Sequence, residues 1–224
     1  RTAHYLVRVL RVKTGDVFSG FDGQGNEYLL AVKSITTRSI ILSVLEKSQN
    51  LSRENPQEII LFQSVPKAEK MDRIVREATY LGVSRIFPMT SQRVIPNLGP
   101  DQFRRRKTRW LRIASEAARL SGRAIIPEIG ELVDFSEALN YPVDQKLLFW
   151  EKATQLLSEP LRQAKGVGIY IGPEGGFSDE EVAIARKSGC LICSLGVRIL
   201  AVETASLVAL AIVSYQLLAA SQST

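Results

Sequence analysis

The residue order predicts an α/β chain, with a mostly parallel sheet flanked by helices and a small β-barrel ahead of it. Three observations lead there. From residue 58 onward, short apolar runs alternate with helix-period segments, which is the rhythm of βα units with a parallel sheet. The first part of the chain instead holds short strand-like runs split by Gly, Asp and Asn, as small barrels do. Two of the later runs end in glycine-bearing loops that open into helices, the end of the sheet where α/β folds take ligands.

The elements follow in chain order. His4–Leu10 reads as a short helix or strand. Asp16–Phe21 is strand-like, and Asp22-Gly23-Gln24-Gly25-Asn26 supplies a turn. Strands are expected again over Glu27–Ile35 and Ser39–Leu45, then a polar linker over Glu46–Gln57. Glu58–Gln63 is a strand. Lys67–Leu81 is a helix, because Met71, Ile74, Val75, Ala78 and Leu81 share a face and Gly82 suits the position after its end. Ser84–Met89 is a strand. Asp101–Leu120 is a helix with Phe103, Trp110, Ile113, Ala114 and Ala117 on its apolar side. Gln145–Trp150, Gly166–Ile171 and Cys190–Leu195 are strands; Asp179–Lys187 and Glu203–Leu218 are helices. The domain division expected is 1–50 for the barrel and 58–224 for the α/β domain.

Composition narrows the chemistry. With 224 residues, 45% of them hydrophobic, and only 2 Cys, the chain can bury a core without disulfides. One His, His4, excludes sites that need two histidines in one chain, and no metal is expected. Cys190 and Cys193 have the CxxC spacing without a second pair and read as buried thiols. The stretch from Arg93 to Arg123 carries nine basic and two acidic residues, a local excess of seven against +6 for the whole chain. That pattern predicts a polyanion partner such as RNA, set against a solvated helix face. Arg8, Arg11 and Lys13 interrupt any apolar leader, and Thr204–Ala220 is short and diluted for a membrane span. A cytoplasmic protein with no membrane partner is expected.

The sharpest motif is Ile171-Gly172-Pro173-Glu174-Gly175-Gly176-Phe177-Ser178. Glycines at a strand end let a ligand approach the backbone closely, and Ser178 with Glu181 predicts a capping box. No Lys-Ser/Thr follows and Glu174 would repel phosphate, so this is no phosphate loop. Leu195-Gly196-Val197-Arg198-Ile199-Leu200-Ala201-Val202-Glu203-Thr204-Ala205 also leaves a strand through glycine and enters a long helix. Two such loops can wall one pocket.

These motifs closely resemble the bacterial 16S rRNA uridine-N3 methyltransferase family, one of the trefoil-knotted SPOUT methyltransferases. Further stretches are similar too: His4-Tyr5-Leu6 with Gly15-Asp16, Lys67 and Lys70 with Ala78-Thr79 and Leu81-Gly82-Val83, and Trp110 with Glu116-Ala117-Ala118 and Ser121-Gly122-Arg123. The resemblance implies a PUA-like RNA-binding β-barrel, a knotted SPOUT domain with a parallel sheet, a homodimer, and a substrate in 16S rRNA or the small ribosomal subunit. It implies S-adenosylmethionine held by Leu148, Phe149, Trp150, Glu151, Ile171, Gly172, Pro173, Glu174, Gly175, Gly176, Leu195, Gly196, Ile199, Leu200 and Ala201.

The chemistry assigns candidates to roles. Methylation at uracil N3 needs a lost proton and positive charge near the uracil oxygens. Arg198, Arg123 and Arg93 can supply the charge; Glu203 can act as base or simply complement its helix dipole. RNA contacts are expected from His4, Arg8, Arg11, Lys67, Lys70, Arg93, Arg105, Arg109, Arg112 and Arg123. The chain departs from the family pattern at Ala201, where Arg is usual, and at Leu120, Tyr80, Glu77 and Ser91-Gln92-Arg93-Val94. These departures define a rival expectation, a weakly active or non-catalytic rRNA-binding or assembly factor that keeps the fold.

Overall fold

The computed structural model describes residues 6–7, 11–36, 39–94, 98–157, 161 and 165–221. His4 and Arg8 lie outside the described residues. The chain forms two compact units, Arg1–Glu54 with Gly122–Ile125, and Asn55–Ser121 with Ile126–Thr224.

In the first unit, β1 (Val17–Phe21), β2 (Asn26–Ile35) and β3 (Ile40–Gln49) form an antiparallel sheet in that order. The turn before β2 is fixed by Asp22, whose carboxylate accepts from Gln24 N–H at 2.8 Å and Asn26 N–H at 3.2 Å. β3 runs four residues into the expected linker. Glu46, Lys47 and Ser48 pair with Leu29, Tyr28 and Glu27, because an edge strand needs only its backbone bonded and can send polar side chains to water.

Residues 122–125 return to this unit. Gly25 N–H donates to the Ala124 carbonyl at 3.0 Å, and Ile125 bridges Gly23 and Gln24. The Arg123 guanidinium is 3% exposed and bonds Glu54 Oε2 through Nε at 3.0 Å and Nη2 at 2.6 Å. Arg123, expected as a catalytic and RNA-binding cation, is therefore a buried partner of Glu54. The sequence showed its charge but not the carboxylate that takes it up.

The second unit is a sheet with helices on both faces. Its strands are β4 (Glu58–Ser64), β5 (Arg85–Thr90), β6 (Glu128–Ile129), β7 (Val133–Asp134), β8 (Gln145–Phe149), β9 (Gly166–Ile171) and β10 (Leu191–Cys193). The order is β10-β8-β9-β4-β5-β6, with β7 also on β5, and all pairings are parallel. The helices are α1 (Lys70–Tyr80), α2 (Pro100–Ser121), α3 (Phe135–Leu139), α4 (Asp179–Lys187) and α5 (Val202–Ser221).

β4 reads as a continuous apolar run because it is covered on both faces. Ile59 and Leu61 pack with Ile74, Trp110 and Leu210 from α1, α2 and α5. Ile60 and Phe62 pack with Leu139 and Val182 from α3 and α4. The Phe62 ring stacks on Tyr170 at 4.7 Å and on Phe87 at 5.3 Å. Trp110 is buried, as its place on the apolar helix face requires.

Other boundaries differ from expectation as well. α1 begins at Lys70, three residues late, because Ala68 takes a left-handed φ of 55° that no helix accommodates. β10 is only Leu191–Cys193. β6, β7 and α3 add structure over 128–139 that the apolar periodicity does not predict, although Asp134 and Glu137 form a capping box whose spacing signals a helix start. Cys190 and Cys193 are buried, and burial raises both thiols, that of Cys190 to about 11, which keeps them protonated and weakly nucleophilic.

α5 is long and apolar enough to cross a membrane by length and composition alone. Here Ala209, Leu210, Val213 and Leu217 are fully buried against the sheet. Gln63, buried at the end of β4, accepts from the Ser206 hydroxyl at 2.5 Å and so fixes α5 to it.

Candidate functional site

Parallel register places three strand ends side by side. Phe149 of β8 stands opposite both Ile171 of β9 and Cys193 of β10. The loops that follow therefore leave the same edge of the sheet at one level. They enclose a cavity of about 470 Å³, within the range of small-molecule sites.

The loop after β8 supplies Phe149, Trp150 and Glu151. Trp150 N–H donates to the Cys193 carbonyl at 3.0 Å, and its indole Nε1 to the Phe177 carbonyl at 3.3 Å. This residue therefore joins all three loops. The loop after β9 supplies Ile171 to Phe177. It closes through Gly176 N–H to the Pro173 carbonyl at 2.9 Å and then enters α4 through the Ser178–Glu181 capping box. The loop after β10 supplies Leu195, Gly196 and Arg198 to Ala201.

The glycines act differently from one another. A Cβ on Gly172 would lie 3.1 Å from Phe177 N and 3.2 Å from Gly176 C, so Gly172 lets the loop fold onto itself. Gly176 has φ 67°, and a Cβ there would meet the Glu151 carboxylate at 2.6 Å. Gly196 has φ 107° with nothing within 4 Å of a built Cβ. Its backbone conformation demands glycine, and its open side borders the cavity.

Of the residues that the resemblance places at the cofactor, all but Leu148 line this cavity. Leu148 is fully buried and packs with Phe62 and Tyr170 on the opposite face of the sheet, because side chains alternate along a strand. Lys70, Phe177, Arg198, Val202 and Ala205 line the cavity as well. Lys70 belongs to α1, far from these motifs in sequence, and only its long-range partners reveal it.

Lys70 Nζ lies 2.9 Å from Glu174 Oε1 and 3.8 Å from Glu203 Oε2. The hydrogen bond to Glu174 raises the Lys70 ammonium above its ordinary value. Burial would raise the Glu174 carboxyl, but hydrogen bonds from Lys70, its own backbone and Lys67 N–H outweigh this and hold it low. Glu203 Oε2 is buried and has no hydrogen-bond partner among the described residues.

The other expected RNA cations, Arg11, Lys67, Arg93, Arg105, Arg109 and Arg112, are all exposed. Two of them are engaged by neighbouring groups. Arg109 bonds Glu69 at 2.9 Å and Asp72 at 2.5 Å, which spends its charge between α2 and α1. Arg93 Nη1 donates to the Gly175 carbonyl at 2.8 Å.

The family model described as RNA methyltransferase domain matches residues 53–214, and the one described as RNA methyltransferase PUA domain matches residues 1–45. The chain belongs to this RNA methyltransferase family. It is 33% identical over 214 residues to ribosomal RNA small subunit methyltransferase E of Buchnera aphidicola, covering 92% of this chain and 82% of that one. The enzyme of the same name from Neisseria gonorrhoeae, solved with S-adenosyl methionine bound, is similar at TM-score 0.85 and 28% identity, over 96% of this chain and 88% of that one. A methyltransferase of Legionella pneumophila, in complex with the bound cofactor SAM, matches at TM-score 0.88 and 28% identity, covering 95% and 88%.

The glycine geometry predicts distinct costs. Gly196→Ala should destabilise the fold by about 1–3 kcal/mol, the usual cost of a side chain held in a sparsely populated backbone region. Gly172→Val should cost more than Gly172→Ala, since each added atom presses on the loop backbone. Urea melts of the three variants check both.

Proposed function

We propose that this protein transfers a methyl group from S-adenosylmethionine to N3 of a uridine in 16S rRNA of the small ribosomal subunit. The observation that carries this reading is the cavity walled by three loops from adjacent strand ends, in a chain of the RNA methyltransferase family. Relatives that match along nearly the whole chain bear methyltransferase names, which disfavours the rival reading of a non-catalytic assembly factor. The ribosome as target places the protein in the cytoplasm. The knot implied by the resemblance belongs to this reading.

The cavity fits the cofactor chemically. Phe149, Ile171, Leu195, Ile199 and Leu200 offer apolar surface to a nucleoside. Glu151, Glu174, Lys70 and Arg198 offer both signs of charge to an amino-acid end. Gly196 leaves the wall open to close approach. When bound, S-adenosylmethionine supplies an electrophilic methyl group on a positively charged sulfur.

The chain's own residues have separable tasks. Arg198 is exposed at the cavity and places positive charge where the uracil oxygens gain negative charge as N3 loses its proton. Glu203 holds Oε2 buried beside Lys70, so we assign it to the α5 N-terminus and its ammonium partner rather than to proton removal. Ala201 lines the cavity without offering any charge.

The RNA footprint we propose is the exposed stripe of Arg105 and Arg112 on α2, with Arg11 and Lys67 as further cations. A homodimer would cover the apolar surface left on α5 and the loop before it, where Tyr215 is 73%, Ile199 87% and Val197 97% exposed; apolar patches of that kind mark interfaces.

Four measurements test this function. Labelled cofactor and small subunits lacking the mark should yield N3-methyluridine. Arg198→Ala should lower the single-turnover rate by about 10²–10³, and Ala201→Arg should raise it by about tenfold or more, equal to about 1.4 kcal/mol. Arg105→Glu with Arg112→Glu should flatten the dependence of log K on log salt by roughly 0.7 to 0.9 per lost phosphate contact. Light scattering should return twice the chain mass of 24.8 kDa.

A further inference from the structure

Two cations that the charge pattern offers to RNA both end on the turn from Pro173 to Gly176. Lys70 is the first residue of α1, and its ammonium meets Glu174 Oε1 at 2.9 Å. The same carboxylate oxygen accepts Lys67 N–H at 3.1 Å. Lys70 Nζ also lies 3.8 Å from Glu203 Oε2, a buried oxygen with no hydrogen-bond partner among the described residues. One ammonium thus joins the start of α1, the glycine-rich loop and the first turn of α5.

The loop is held from its other side as well. Arg93 Nη1 donates to the Gly175 carbonyl at 2.8 Å. Gln92 N–H donates to Glu181 Oε1 at 2.8 Å, and Glu181 is buried within the capping box that ends the loop. A loop with three glycines, Gly172, Gly175 and Gly176, has wide conformational freedom. External anchors are what confine such a loop to a single shape.

We propose that Lys70 is a positioning residue of the cofactor pocket, whose ammonium clamps Glu174 and Glu203 so that the glycine-rich loop and α5 keep the spacing S-adenosylmethionine requires, while Arg93 pins the same loop through the Gly175 carbonyl. This rests on the reading of the cavity as a cofactor site. It moves Lys70 and Arg93 from RNA contact to control of the pocket wall. Glu203 matters here as a charge partner, so its value lies in being ionised and in place.

Calorimetry with S-adenosylmethionine separates the possibilities. Lys70→Met should raise the dissociation constant tenfold or more, and Lys70→Arg should restore it to within about threefold of wild type. Glu174→Gln should weaken binding too, and the Lys70→Met/Glu174→Gln double variant should be no weaker than Lys70→Met alone, because partners in one contact are non-additive. Arg93→Met leaves α1 untouched and should weaken binding independently, which keeps the test valid if Lys70→Met fails to fold. Unchanged cofactor affinity in Lys70→Met and Arg93→Met, or additive losses in the double variant, would overturn the clamp. An RNA salt slope reduced by roughly 0.7 to 0.9 with unaltered cofactor affinity would overturn it in favour of a phosphate contact. Absence of cofactor binding by the wild type would instead remove the pocket reading itself, and the clamp with it.

Discussion

The site depends on the parallel register of β8, β9 and β10. Because Phe149 stands level with Ile171 and Cys193, three chain segments far apart in sequence emerge together and share one cavity. A slip of a single residue would turn Phe149 and Ile171 to the other face of the sheet. The register is secured by burial on both faces, with Leu147 and Ile169 in one core and Leu148 and Tyr170 in the other. The Tyr170 hydroxyl donates to the Ala138 carbonyl at 2.9 Å, and burial raises its phenol well above the ordinary value.

Charge is distributed unlike the simple basic patch its sequence density suggests. Arg123 is absorbed by Glu54, Arg109 by Glu69 and Asp72, and Lys70 by Glu174, while Arg93 gives one N–H to the Gly175 carbonyl and stays exposed. The cations left exposed without a recorded ion pair among the described residues include Arg105 and Arg112. An exposed arginine can exchange water for phosphate at little cost, whereas one already bonded to a carboxylate must first give that up. The RNA footprint we propose is for that reason smaller than the stretch from Arg93 to Arg123.

The buried Arg123–Glu54 pair shows how the chain closes its first unit with residues from beyond α2. Gly122 has φ 69°, and a side chain there would strike the Arg53 guanidinium. The tight turn and the ion pair act together to bring Ala124 and Ile125 onto Gly25 and Gly23. Removing one member of a buried pair leaves an uncompensated charge, so the Arg123–Glu54 pair gives Gly122-Arg123 an architectural role.

The sequence by itself determined the βα rhythm, the apolar helix faces, the Ser178–Glu181 cap and the two glycine-ended strands, since each is encoded by spacing over a few residues. It also pointed to the cavity, because glycine-bearing loops at the carboxyl ends of α/β strands mark the edge of the sheet where ligands bind. What it left undecided were the partners of its charges. Glu54 lies 69 positions from Arg123, and Glu174 lies 104 from Lys70. Periodicity carries no information at such separations. A charged side chain takes its role from whichever opposite charge the fold brings within about 4 Å, where Coulomb attraction outweighs competition from water. Only the tertiary structure could therefore decide that Arg123 holds the first unit together, that Leu148 faces away from the cavity, and that Lys70 stands in its wall.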